Sequence, residues 1–155
     1  MTVEMDTGQA LGLAELETSP GFLLQIALVR YVEALGRELP DDLPLSNAEY
    51  AICVAIVENP GALQGEIGDL LHISRAHMTK VVTRLEAAGI VDREIPPENR
   101  RSLRLSLTAQ GQTALAEMRR ATPDAGRAAL SMLNPDERER LVSLLRKVAG
   151  RPERP

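Results

Sequence analysis

The chain has 155 residues, of which 44% are hydrophobic and 26% charged, a composition typical of one globular domain with a real core. Its single cysteine excludes an internal disulfide, and with only 2% aromatic residues the core must be aliphatic. The most apolar segment, 21–35, contains Gln25, Arg30 and Glu33, and the acidic N-terminus does not resemble a signal peptide, so we expect a soluble, cytoplasmic protein without membrane contact.

The net charge of -4 is unevenly distributed along the chain. Between His72 and Arg104 there are seven basic and four acidic residues, whereas the rest of the chain holds 11 basic and 18 acidic residues. A basic segment on an acidic body favours localised binding of nucleic acid over non-specific coating of it.

The first elements in chain order are a polar stretch and an unusually apolar helix. Residues 1–18 are weakly patterned and are expected to form a flexible arm or a short extra helix. Ser19-Pro20 then predicts the start of a helix over about 20–39, which is apolar around most of its circumference. Such a helix needs partners on more than one side, so we interpret 19–45 as a dimerisation helix and loop.

Three further helices follow. Ser46 and Glu49 form the S-x-x-E pattern of a capping box, which predicts a second helix ending near Asn59. A short third helix over about 63–71, with Ile67, Leu70 and Leu71 inward, leads into a tight turn at His72.

The fourth predicted helix has two distinct faces. Ser74 is a favourable N-cap, and Gly89 stands where a helix commonly ends. Between them, an apolar stripe faces inward and a basic face remains outside, a pattern typical of a helix-turn-helix. The stripe consists of Met78, Val81, Val82 and Leu85.

A β-hairpin is predicted next. Strand-like runs over 90–95 and 102–107 flank a loop that ends in Arg100 and Arg101. We therefore expect a wing with a basic tip, which completes a winged helix-turn-helix lobe over 46–107.

The C-terminal part reads as two helices that assist dimerisation over 108–150. Thr108 caps a helix over about 109–121, which Pro123 is expected to kink or break. Asn134 caps the last helix, whose apolar stripe runs through Leu141, Leu144, Leu145 and Val148, and residues 151–155 form a frayed tail. The predicted fold class is mainly α with a small β-wing.

From about residue 20 to residue 150 the chain resembles the MarR family of winged helix-turn-helix transcriptional regulators. Residues 73–90 are similar to the family's recognition helix, with Ser74, Thr79, Leu85, Glu86 and Gly89 at matching places. Residues 99–111 are similar to the family's wing and to the L-T-x-x-G start of its dimer helix. Departures are Asn99 where Asp is usual, Lys80 where Arg is common, and His72 at a turn position that often carries Gly.

The resemblance implies a homodimer that binds double-stranded DNA at a pseudo-palindromic operator. We expect the fourth helix to enter the major groove and the wing to reach the neighbouring minor groove or backbone. Arg84 is either a phosphate contact or a tether of the wing, and any basic side chain here could also be plain solvated surface. The predicted DNA contacts are Ser74, Arg75, His77, Thr79, Lys80, Thr83, Arg84, Arg100 and Arg101.

The resemblance also implies a ligand-responsive repressor, released by a small aromatic or anionic effector bound between the dimer helices and the DNA lobe. Core or interface packing is the favoured explanation for Tyr31 and Tyr50, and a buried, inert thiol is the favoured explanation for Cys53. The candidate ligand residues are Arg30, Tyr31, Tyr50, Cys53 and His72.

Two rival functions stay open at this point. An enzyme is disfavoured because no phosphate loop, Ser-His-Asp set or metal motif is present, and no metal or cofactor is expected from two histidines and one distant cysteine. The other alternative is a winged-helix protein-interaction module without DNA binding, which the basic face and basic wing disfavour.

Overall fold

The computed structural model describes residues 15–97 and 102–151. Within these ranges six helices and a two-stranded sheet follow in chain order, which confirms the expected fold class. The elements are α1 Pro20–Glu38, α2 Asn47–Glu58, α3 Gln64–Leu70, α4 Arg75–Ala87, β1 Val91–Glu94, β2 Arg104–Leu107, α5 Ala109–Ala129 and α6 Pro135–Val148. Most of the predicted N-terminal arm and C-terminal tail lies outside the described residues. None of the described helices combines the length and apolar character that a membrane span requires.

The chain divides into two compact units. The larger unit, Glu38–Ser131, contains α2 to α5 and the sheet. Its core is aliphatic, as expected from the scarcity of aromatic residues, and four of its side chains have no exposed surface. These four are Ile52, Cys53, Val82 and Met118.

The other unit contains α1, as far as Arg37, and α6. Leu35 is the one buried residue of α1, and α6 has none. The apolar stripe predicted for α6 leaves Leu144, Leu145 and Val148 exposed in the single protomer, and its part in dimerisation stays a prediction. An apolar stripe stays exposed when the protomer itself supplies no surface to cover it.

Short-range capping bonds define the start of α2. Its capping box is confirmed: the Glu49 amide donates to Ser46 Oγ at 3.4 Å, and the Ser46 amide donates to Glu49 Oε2 at 2.8 Å. These bonds satisfy donors that have no partner within the helix.

The turn between α3 and α4 is tight. His72 has φ 54°, a left-handed conformation, which agrees with a turn position that often carries glycine. The Ile73 amide donates to Gly68 O at 2.8 Å. Leu70 was predicted to face inward but is 37% exposed, whereas the buried residues of α3 are Ile67 and Gly68.

The end of α4 and the start of α5 meet at one point. Gly89 has φ 69°, and the Ile90 amide donates to Leu85 O at 2.9 Å, which closes α4 in a Schellman motif. Thr108 caps α5 and also donates from its hydroxyl to Gly89 O at 2.6 Å. The predicted caps at both positions are confirmed.

The sheet is a short antiparallel hairpin whose register runs from Val91 opposite Leu107 to Glu94 opposite Arg104. The start of α3 joins it, because the Gln64 amide donates to Leu103 O at 2.7 Å. The hairpin is confirmed, with strands shorter than predicted. The tip of its loop, residues 98–101, lies outside the described residues.

Helix α5 continues through Pro123 to Ala129, so of the two alternatives a break at this proline is wrong, whereas a kink stays a prediction. Proline removes one helical hydrogen bond, but its φ is compatible with a helix. Buried residues on both sides, Met118 and Ala125, hold the helix in place, and Thr122 Oγ1 donates to Met118 O at 2.7 Å.

Candidate nucleic-acid interface

Helix α4 separates a buried stripe from an exposed polar face, as its spacing predicts. Met78, Val81, Val82 and Leu85 are buried in the core of the larger unit. The side chains of α4 and of its N-cap that were predicted to contact DNA are all exposed, on the side of the helix opposite to this stripe. They are Ser74, Arg75, His77, Thr79, Lys80, Thr83 and Arg84.

Two of these side chains are engaged by neighbours near the start of α4. Ser74 Oγ accepts a hydrogen bond from the His77 amide at 3.3 Å, so its hydroxyl serves as the N-cap. Thr79 Oγ1 accepts from Gln64 Nε2 at 3.3 Å, which links α4 to the first residue of α3. Gln64 was not predicted, because no local pattern in the sequence connects it to Thr79.

An open groove of about 430 Å³ lies beside this face, between α3, the start of α4 and the residues that lead into β2. Gln64 Oε1 is buried here and has no hydrogen-bond partner among the described atoms. Because it lacks a partner, this oxygen is available to a donor that enters the groove. An unsatisfied buried acceptor typically costs about 1–3 kcal/mol, which such a donor would recover.

Arg84 is tethered, but not to the wing. Its guanidinium pairs with the carboxylate of Glu49 at the start of α2. The Arg84 side chain is 63% exposed, whereas that of Glu49 is only 3% exposed. The interpretation of Arg84 as a wing tether is therefore wrong, because a buried carboxylate on another helix holds this side chain.

The wing is connected to α4 by Arg93, which lies on β1. Its guanidinium pairs with Glu86 and donates to Thr83 Oγ1 at 3.5 Å. The hydrogen bond from Arg93 holds the pKa of the Glu86 carboxyl below its usual value, and the same bond raises the pKa of Arg93. In the sequence, Arg93 contributed only to the positive charge of the segment. Its pairing with Glu86 could not be predicted, because it depends on β1 lying beside α4.

Arg100 and Arg101 lie outside the described residues, so the basic wing tip stays a prediction. Arg104, at the other end of that loop, donates from Nε to Gly61 O at 3.2 Å. This bond helps to hold β2 against the segment before α3.

The candidate ligand residues are distributed over both units. On α1, Arg30 is exposed and Tyr31 is half-buried. In the larger unit, Tyr50 is half-buried and His72 is exposed. Among the described residues no cluster of three or more His, Cys, Asp or Glu is placed to hold a metal ion.

Cys53 lies in the core without exposed surface. Burial, together with the nearby negative charge of Glu49, raises the pKa of its thiol to about 11. The interpretation of Cys53 as a buried thiol is thereby confirmed, since a protonated, inaccessible sulfur is a poor nucleophile.

The chain is similar to known proteins in both sequence and fold. The model of the MarR family matches residues 45–103. The transcriptional regulator HosA of Escherichia coli O111:H- is 31% identical over 111 residues, which cover 72% of this chain and 80% of HosA. The structure of the transcriptional repressor CouR bound to a 23-mer DNA duplex has a TM-score of 0.77 and 28% identity, covering 91% of this chain and 99% of CouR.

A second solved structure is that of Bordetella bronchiseptica BpsR, whose DNA binding is regulated by 6-hydroxynicotinic acid. It has a TM-score of 0.74 and 27% identity, covering 83% of this chain and 97% of BpsR. The residues that the family model matches include α4 and β1. From the agreement of sequence and fold, the chain belongs to the MarR family.

Proposed function

We propose that the protein is a sequence-specific DNA-binding transcriptional regulator that acts as a homodimer in the cytoplasm. The observation that carries this proposal is the exposed polar face of α4, which is backed by a buried apolar stripe and lies beside a hairpin. A helix of this kind fits the major groove of B-DNA, where residues near its N-terminus reach base edges. The transcriptional repressor CouR, similar in fold, has been solved bound to a DNA duplex, which supports a DNA-binding role.

The dimer is supported by apolar side chains that the protomer leaves uncovered. Large hydrophobic residues are exposed along α1 and α6, far more densely than single scattered surface residues would be. A second copy of the chain is the partner that a palindromic operator requires, because two recognition helices about 34 Å apart meet successive major grooves. The residues are Leu23, Leu24, Ile26, Leu28, Val29 and Val32 on α1, and Val142, Leu144, Leu145 and Val148 on α6.

The DNA-binding proposal is tested by removing two positive charges from the predicted interface. We expect Lys80→Ala with Arg101→Ala to lower affinity for the operator at least about tenfold. The slope of log affinity against log salt should fall by about two, one for each lost phosphate contact.

The matched control removes the same two charges elsewhere, by Lys147→Ala with Arg119→Ala, both at exposed positions. The control should bind like the wild type. Equal affinity and equal salt slope in the interface variant and the wild type would refute the proposed surface, and a protein-interaction module would then be the better description. Light scattering tests the dimer, which a stable monomer at micromolar concentration would contradict.

We further propose that a small anionic or aromatic effector releases the DNA, with Arg30 as the group that binds its negative charge. Arg30 is an exposed charge on α1, whose residues are mostly apolar, and an anion would complement it. Tyr31, Tyr50 and His72 have exposed surface that a ligand can reach, whereas Cys53 has none.

Aromatic acids should raise the thermal midpoint of the wild type by mass action and lower its affinity for DNA. Arg30→Ala should lose that response, while Arg37→Ala, also exposed on α1, should retain it. A response unchanged in Arg30→Ala would remove Arg30 from the effector site.

A further inference from the structure

Glu49 is the only buried polar or charged residue in the described part of the chain, with 2% of its surface exposed. Its carboxylate has three donors. The Ser46 amide and the Ser46 hydroxyl each donate to Oε2 at 2.8 Å, and the Arg84 guanidinium pairs with Oε1. A buried carboxylate is tolerated when its oxygens are paired in this way, and removal of one partner leaves a costly uncompensated charge.

The ion pair connects two helices with different tasks. Glu49 belongs to the first turn of α2, which is anchored in the core through Ile52 and Cys53. Arg84 belongs to the last turn of α4, the helix that carries the proposed DNA contacts. A charged group fixed at the far end of α4 therefore restricts how this helix can roll or tilt relative to α2.

Arg84 has been considered so far as a possible phosphate contact. Its pairing with Glu49 argues against that task, because a guanidinium that leaves for DNA would strand the buried carboxylate. The Arg84 side chain remains 63% exposed, whereas the Glu49 side chain with which it pairs is 3% exposed.

We propose that Glu49 is a positioning residue for DNA recognition, which fixes the orientation of α4 through Arg84, and that Arg84 is a tether and not a DNA contact. This inference rests on the proposed function, since it assigns a role within the same DNA-binding surface. It predicts that opposite changes of charge at the two positions have the same effect on DNA binding.

The experiment measures operator affinity against salt concentration for Glu49→Gln, Arg84→Gln and the double variant. Gln at position 49 keeps the shape of the side chain and an acceptor for Ser46. We expect each single variant to bind about tenfold more weakly with an unchanged salt slope, and the double variant to bind no more weakly than either. The ratio of affinities for operator and random DNA should fall as well, because a misoriented helix loses base contacts before phosphate contacts.

A direct phosphate contact by Arg84 would give a different result. Glu49→Gln would then strengthen binding by removing a competing negative charge, and Arg84→Gln would lower the salt slope by about one. Either result overturns the proposal. Matched controls for charge alone are Glu139→Gln and Arg120→Gln, at exposed positions on α6 and α5, which should stay within about twofold of the wild type.

Two further measurements separate positioning from general loss of structure. Arg84→Lys keeps the charge and should retain affinity within about threefold of the wild type. Urea unfolding of the same set without DNA should show that Glu49 and Arg84 are coupled, so that their effects do not add. If the effects of the Glu49 and Arg84 variants on unfolding are additive, the proposed tether is refuted but the proposed function is not. If the wild-type protein binds no DNA, the proposed function is refuted.

Discussion

The close approach of the Ile90 backbone to Gly111 is expected to make this glycine costly to replace. Gly111 lies in the first turn of α5, and a Cβ added there would be 2.1 Å from Ile90 O and 3.0 Å from the Ile90 carbonyl carbon. Ordinary contacts of a Cβ begin near 3.4 Å. Gly111→Ala must therefore displace backbone, because Ile90 is itself buried and cannot swing aside.

The expected loss follows from the bonds at this point. The Ile90 carbonyl accepts from the Thr108 amide at 3.1 Å, and the displacement that relieves the clash breaks this bond. Overpacking typically costs 1–3 kcal/mol and a lost hydrogen bond about 1 kcal/mol, so we expect the free energy of unfolding to fall by about 3 kcal/mol. For a chain of this length, that corresponds to a thermal midpoint lower by roughly 9 °C.

The assay is urea unfolding followed by circular dichroism, at equal protomer concentrations because the protein is expected to dimerise. The matched control is Gly65→Ala in α3, where an added Cβ meets nothing within 4 Å. That substitution should be neutral or stabilise by about 0.5 kcal/mol, since it only restricts the unfolded chain. A Gly111→Ala protein within 1 kcal/mol of the wild type would refute the argument from close approach.

Three further predictions concern single groups. Because the pKa of Cys53 is raised to about 11, its contribution to stability is complete below its ordinary value of 9.0 and is lost as the pH rises from there. Urea unfolding at pH 8 and pH 10 should show a larger loss in the wild type than in Cys53→Ala, and equal losses would contradict it. The pKa of Glu86 is lowered by Arg93, so their pair stabilises above the ordinary carboxyl value near 4.5 and less as the pH falls. Glu86→Gln should therefore lose less stability between pH 7 and pH 4 than the wild type, and an identical loss would speak against the pair. Pro123→Ala restores a helical amide inside α5 and should raise the free energy of unfolding by roughly 1–3 kcal/mol. Thermal unfolding would detect this gain. If there is no gain, α5 already accommodates the proline without a loss of stability.

Helix starts and faces were predictable because their causes are local. Ser46, Ser74, Thr108 and Asn134 each accept an amide from a residue three positions later, so both partners are visible in a short stretch of sequence. The buried stripe of α4 follows from helical periodicity in the same way. Pro123 left a kink and a break open, because the local rule does not say whether packing on both sides keeps the helix continuous.

The sequence by itself determined the order of elements, the caps, the two faces of α4 and the family resemblance, since each depends on neighbours within about one or two helical turns. Only the tertiary structure decided the partners of the charged groups. Glu49 pairs with Arg84, and Gln64 donates to Thr79, because folding brings separate helices together. The spacing of these residues along the chain does not predict either contact. The close approach of Gly111 to Ile90 likewise became visible only once the end of α4 and the start of α5 were placed side by side.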